Sequence, residues 1–133
     1  AVLLQALIER PVGRLIVASS MSIYGEGLYR RGDGTVVEGR ARPRARLAAG
    51  RWELPGDDGT DLVPVPTPEG KTPSLSSIYA LGKHVQERQC LLIGQAYGIP
   101  TTALRFFNDY GSRQALSNPY TGLLAIFASR LLN

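Results

Sequence analysis

Residues 72–107 read TPSLSSIYALGKHVQERQCLLIGQAYGIPTTALRFF, and they decide the fold class. A hydroxyl-rich start offers Thr72 or Ser74 as a helix N-cap, and Gly98 can end the helix just after Tyr97. Between them Ile78, Leu81, Val85, Leu92 and Ala96 recur at helical spacing and predict the stripe that faces the core. IPTTALRFF (99–107) then gives a run of strand formers, entered through a short glycine turn. Upstream, LIVASS (15–20) is a continuous apolar run, which predicts a strand buried on both faces, as in a parallel sheet. AVLLQALIE (1–9) reads as the end of a helix closed by Pro11 and Gly13. At the other end NPYTGLLAIFASRLLN (118–133) predicts a helix with Asn118 as N-cap and Pro119 in the first turn. Helix, strand, helix, strand, helix is the alternation that builds an α/β protein around a parallel sheet.

One stretch breaks this rhythm. Six of the nine prolines fall between residues 43 and 73, and seven arginines crowd residues 30–51 (Arg30, Arg31, Arg40, Arg42, Arg44, Arg46, Arg51) against only Asp33 and Glu38. That local excess of five positive charges exceeds the chain's net +4, so the remainder is slightly acidic. Such a cluster can contact phosphate or nucleic acid. No aromatic platform alternates with the arginines, which favours a solvated, mobile insert over a nucleic-acid interface. Trp52 is the expected anchor of any satellite structure here, and Val63 and Val65, alternating with prolines, fit an edge strand or an extended run.

With 133 residues, 44% hydrophobic and 20% charged, the chain has the make-up of one globular domain. It has no apolar run near the ~20 residues that span a bilayer, so no membrane partner is expected. The single cysteine, Cys90, excludes an internal disulfide and any multi-cysteine zinc site within the chain, which fits a reducing cytoplasm. Cys90 itself reads as an inert core thiol. The chain opens without a methionine or a secretory signal pattern and reads as part of a longer polypeptide.

Tyr79 and Lys83 carry the chemistry. Four residues on a helix make one turn, so their side chains share a face. A lysine ammonium beside a phenol favours the phenolate and turns the tyrosine into an acid/base near neutral pH. Ser20, at the carboxyl end of the first strand, lies where open parallel sheets bind ligands and can hydrogen-bond a substrate oxygen. Together these groups suit alcohol oxidation or carbonyl reduction with hydride passing to a cofactor. On spacing alone a chance Tyr/Lys pair outweighs this reading, because such pairs are common on helices.

The surroundings change that balance. LIVASSMSIYGEG, then YALGK, then TTALRFFNDYGSRQ resembles the extended short-chain dehydrogenase/reductase family, in its NAD-dependent epimerase/dehydratase group typified by UDP-glucose 4-epimerase. The resemblance covers residues 1–29 and 71–133. It implies a Rossmann-like, doubly wound parallel sheet in three α/β/α layers, of which this chain is the central part, with residues 30–70 as a Pro/Arg-rich insertion. It implies NAD as cofactor (NADP is the alternative) and a nucleotide sugar as substrate. Ser20, Tyr79 and Lys83 would be catalytic, Tyr79 and Lys83 would also be cofactor-binding, and Lys83 would hold the nicotinamide ribose. Ser19, Phe106 and Phe107 would line the cofactor crevice. Asn108 would meet the substrate's diphosphate. Arg113 is expected either to reach a substrate phosphate or to make a structural salt bridge, and Tyr24 either to pack beneath the crevice or to lie near the sugar. A homodimer through the helices flanking the sheet would follow as well.

Family dehydratases carry an acidic pair after the hydroxyl residue, whereas Met21 and Ser22 follow Ser20 here, which favours 4-epimerisation over dehydration. The alternatives are a dehydratase or reductase of the same family, or a non-catalytic dinucleotide-binding member. Two features depart from the family pattern. No glycine-rich phosphate loop precedes the first strand, and the expected C-terminal substrate domain is absent. The 58 residues between Ser20 and Tyr79 also exceed the span the resemblance leads one to expect, so residues 30–70 would form a lid, a partner surface or a mobile loop. Arg105 is expected to support the sheet edge, and His84 to be a surface or packing histidine.

Overall fold

The computed structural model describes residues 2–114 and 123–132. The chain divides into two compact units, residues 1–21 with 85–133, and residues 22–84. The expected helix start at Asn118 and Pro119 lies outside the described residues.

The first unit contains helix α1 (Val2–Glu9), strand β1 (Leu15–Ser20), strand β5 (Thr101–Phe106) and helix α4 (Leu123–Leu132), together with the later part of helix α3 (Ile78–Ala96). β1 and β5 pair in parallel, from Leu15 opposite Thr101 to Ser20 opposite Phe106. Each strand carries two β-branched residues, Ile16 and Val17 in β1 and Thr101 and Thr102 in β5, which suit a pleated surface. β1 is not buried on both faces as its apolar run suggests. Val17 and Ser19 are buried, but Ile16 on the opposite face is 61% exposed and Leu104 and Phe106 beside it are also open. Strand alternation sends successive side chains to opposite faces, and only one face of this pair is covered.

Helix α3 starts later than expected. The Ser77 hydroxyl accepts the Ala80 N–H at 3.0 Å, so Ser77, not Thr72 or Ser74, caps the helix and Tyr79 lies in its first turn. Gly98 ends it in the left-handed conformation (φ 68°), and the Ile99 N–H returns to the Gly94 carbonyl at 2.8 Å. The predicted core stripe lies on the wrong side: Ile78 is 84% exposed, and Leu81, Val85, Leu92 and Ala96 are exposed with it. Ala80, Glu87, Cys90 and Gly94 are buried instead, on a face roughly opposite at 3.6 residues per turn. Burial pushes the Cys90 thiol up, in keeping with an inert role.

The second unit holds strands β2 (Leu28–Arg30), β3 (Val36–Glu38) and β4 (Val63–Val65) and the short helix α2 (Arg44–Ala48). The proline- and arginine-rich stretch therefore forms a three-stranded antiparallel sheet with β2 in the centre, where composition suggested a mobile loop. β4 is the edge strand anticipated at Val63 and Val65, and Pro64 is tolerated there because an edge need not donate on both sides. Trp52 is 65% exposed and lies outside the core, which is formed by Tyr29, Leu54 and Leu62 with Val37 against it. Tight turns close the strands. Asp33 accepts the Thr35 N–H, and Asp58 accepts the Thr60 hydroxyl and then its N–H; these bonds lower both exposed carboxyls from their ordinary values. The buried Lys71 donates to the Thr72 carbonyl at 3.0 Å and to Glu38 of β3 at 3.4 Å.

Glycine is required where α3 meets β5. A Cβ at Gly94 would overlap the Thr101 hydroxyl and come within 2.7 Å of Thr101 Cβ and 2.8 Å of the Ile99 carbonyl. In the full-length protein Gly94→Ala is expected to destabilise by about 1–3 kcal/mol despite alanine's better helix propensity. Chemical denaturation checks this; an unchanged or raised midpoint would show that the close approach does not limit packing.

Candidate active site

The carboxyl edge of the parallel pair supplies the first site residues. Ser20 and Phe106 end their strands as direct register partners and point to the same face. Phe106 is 42% exposed and Phe107, just beyond it, is open too, so two aromatic surfaces stand at the edge where open α/β sheets bind their ligands. Asn108 follows in the exposed loop. Arg113 adopts a left-handed backbone (φ 67°), a conformation non-glycine residues enter only at some cost. It lines an open hollow of about 580 Å³ with Tyr110, Ser112, Gln114 and Leu124.

Tyr79 and Lys83 stand one turn apart at the start of α3, Tyr79 exposed and Lys83 half-buried. Tyr24, expected at the sugar, is buried in the 3₁₀ turn Met21–Tyr24 of the second unit. His84 is half-buried, and its Nδ1 is a buried nitrogen with no hydrogen-bond partner among the described residues.

The main feature that sequence reasoning missed is Glu87. Its side chain is only 4% exposed. Both carboxylate oxygens accept hydrogen bonds from Arg105, from Nη2 to Oε1 at 2.7 Å and from Nε to Oε2 at 3.0 Å. The Ser19 hydroxyl donates to Oε2 at 2.6 Å. This is a bidentate guanidinium–carboxylate pair with a third donor, joining α3 to β1 and β5 together. Arg105 supports the sheet as expected, through a partner that had not been foreseen. Ser19 faces the helix, with its hydroxyl on Glu87, on the opposite side of β1 from Ser20. The signal for Glu87 was present: it lies one turn beyond Lys83 on the same helical face.

Three members of the arginine cluster are built into the second unit. Arg42 donates to Glu26 at 2.5 Å, to the Tyr29 hydroxyl at 3.2 Å and to the Trp52 carbonyl at 2.6 Å. Arg46 pairs with Asp61 at 2.8 Å and Arg31 with Asp57 at 2.6 Å. Three of the seven arginines are thus neutralised by carboxylates beside them, which reduces the field offered to a nucleic acid or a diphosphate. Among the described residues no cluster of His, Cys, Asp and Glu could hold a metal ion, and no helix is long and apolar enough to cross a membrane.

A parallel α/β pair with a hydroxyl and an aromatic ring at its carboxyl edge belongs to the Rossmann-like class of folds. The chain belongs to the NAD dependent epimerase/dehydratase family, whose model matches residues 54–133. It is 36% identical over 118 residues to the dTDP-L-rhamnose 4-epimerase of Burkholderia thailandensis, a match covering 88% of this chain and 31% of that protein. The chain therefore spans less than a third of the curated relative's length. The structure of UDP-glucose 4-epimerase from Thermotoga maritima, solved with UDP-glucose, superposes with a TM-score of 0.65 at 26% identity, over 98% of this chain and 31% of the other. UDP-N-acetylglucosamine 4-epimerase from Methanobrevibacter ruminantium M1, in complex with UDP-N-acetylmuramic acid, shares the fold with a TM-score of 0.64 at 24% identity and the same coverage.

Proposed function

We propose that the full-length protein is a nucleotide-sugar 4-epimerase, and that this chain carries its proton-transfer groups and the nicotinamide end of its NAD site. One observation carries the reading: the family match over residues 54–133 contains both the Tyr79/Lys83 helix and the LRFFN strand end. The 36% identity to a dTDP-L-rhamnose 4-epimerase supports the 4-epimerase branch. The absence of carboxylates at Met21 and Ser22 argues in the same direction, away from dehydration.

The donor set fits the nicotinamide end of NAD. Lys83 and Tyr79 offer an ammonium and a hydroxyl to a ribose, and the exposed Phe106 and Phe107 offer flat apolar surfaces to a ring. The chemistry that bound NAD supplies is reversible hydride acceptance from the sugar carbon. The chain's own residues handle the proton. Tyr79 Oη takes it from the sugar hydroxyl as the C–H electron pair leaves, and the carbon becomes a ketone. The Lys83 ammonium stabilises the charge on the tyrosine oxygen. The Ser20 hydroxyl donates to the sugar oxygen, and Asn108 and Arg113 hold the diphosphate. Once the ketone had turned over in the site, Tyr79 would give the proton back to the sugar oxygen.

In the full-length protein Tyr79→Phe is expected to lower the rate of epimer interconversion by on the order of 10²–10⁴-fold while leaving the fold intact. NMR of the sugar products checks this; turnover within a few-fold of the parent would remove Tyr79 from its role.

The second proposal concerns assembly. Ile78, Leu81, Val85 and Leu92 form one exposed apolar line along α3, and a second copy of this chain is its occupant, as family-type helix-to-helix dimers would place it. Two α3 helices related by a two-fold axis would bury the same stripe against itself. Val85→Glu should convert the full-length dimer to monomer by light scattering. A dimer that persists, or a monomeric parent, would place the interface elsewhere.

A further inference from the structure

The face that α3 presents to the sheet is unusually smooth. Within the first unit the fully buried positions of α3 other than Glu87 are Cys90 and Gly94, both small, and they offer little side-chain interlocking with the strands. The exception is Glu87, gripped by Arg105 of β5 and Ser19 of β1. Each member of this cluster is one step from a proposed site residue. Ser19 precedes Ser20, Arg105 precedes Phe106, and Glu87 lies one turn beyond Lys83, itself one turn beyond Tyr79. At 3.6 residues per turn Tyr79, Lys83 and Glu87 form one strip that drifts by only about 40° at each step.

We propose that Glu87, Arg105 and Ser19 are positioning residues, which fix the rotation of α3 and thereby the direction in which Lys83 and Tyr79 are presented; this rests on the epimerase reading above. The chemistry of the pair supports that role. A planar guanidinium making two parallel bonds to a carboxylate sets an orientation as well as a distance, which a lysine or an apolar contact cannot do. A buried ion pair is a poor route to stability beside apolar packing of the same volume, so its orienting power is what distinguishes it. Glu87 takes no part in proton transfer itself, since both of its oxygens accept hydrogen bonds inside the protein.

The test uses the full-length protein with Arg105→Lys and Glu87→Gln. Arg105→Lys keeps the charge but loses the fork, and Glu87→Gln keeps the shape but loses the charge. Both are expected to melt cooperatively and to lose roughly 10²-fold in kcat, the scale of a small misplacement of catalytic groups. The acid limb of the kcat–pH profile should move up by about half a pH unit or more as Lys83 is aimed less well at Tyr79. A merely weakened fold would scale that profile down without moving it. Should either variant fail to fold, the double replacement Glu87→Met with Arg105→Met removes both charges together and is expected to fold while showing the same loss and shift. A kcat within twofold of the parent, or an unmoved profile, in the variants that fold would overturn the positioning role. A parent that interconverts no nucleotide sugars would instead overturn the epimerase reading, and with it the positioning role.

Discussion

A carboxylate buried inside a protein must be neutralised and hydrogen-bonded, and in this chain that constraint ties a helix to two strands. Glu87 lies on the inner face of α3, and the groups that satisfy it come from β1 and β5. Removing one partner of such a pair costs about 3–5 kcal/mol, because the other charge stays buried without compensation. The small residues around Glu87 allow this close packing. Gly94 lets the helix approach Thr101, and the small Cys90 is the other buried residue beside Glu87 on this part of the face. One directional contact of this kind sets the orientation of the helix against the two strands.

The second unit follows a similar logic with exposed charges. Tyr29, Leu54 and Leu62 make a core too small to be stable alone in water, and arginines brace its margins. Arg42 spans Glu26, Tyr29 and the Trp52 carbonyl, while Arg46 and Arg31 link it to Asp61 and Asp57. Exposed pairs contribute little singly, about 0–1 kcal/mol each, but Arg42 makes three bonds at once and orders a segment rich in proline.

The α/β class, the strands LIVASS and TTALRF of a parallel sheet and the Tyr79/Lys83 helix were legible in the sequence, and Val63 and Val65 were open between an edge strand and an extended run, because each rests on local pattern and turn chemistry. The orientation of α3 was not. Hydrophobic periodicity marks an apolar face but does not say whether it meets the protein's own sheet or another surface, and here the more apolar face is the exposed one. The small sheet was hidden because short strands interrupted by proline carry little periodic signal. Its stabilising contacts, such as Arg42 with Glu26, join residues whose pairing no local spacing reveals. Glu87 was overlooked for a related reason: a lone acid on a helix reads as solvated until its partners on other strands are seen.

The claim on which these parts depend is that Glu87 and Arg105 act as a coupled pair joining α3 to the sheet. A double-mutant cycle measures it directly, comparing the unfolding free energies of Glu87→Gln, Arg105→Gln and the combination in the full-length protein. The structure predicts a coupling of about 2–3 kcal/mol, with the double variant more stable than the sum of the single losses allows. Additive losses, with a coupling below about 0.5 kcal/mol, would contradict it.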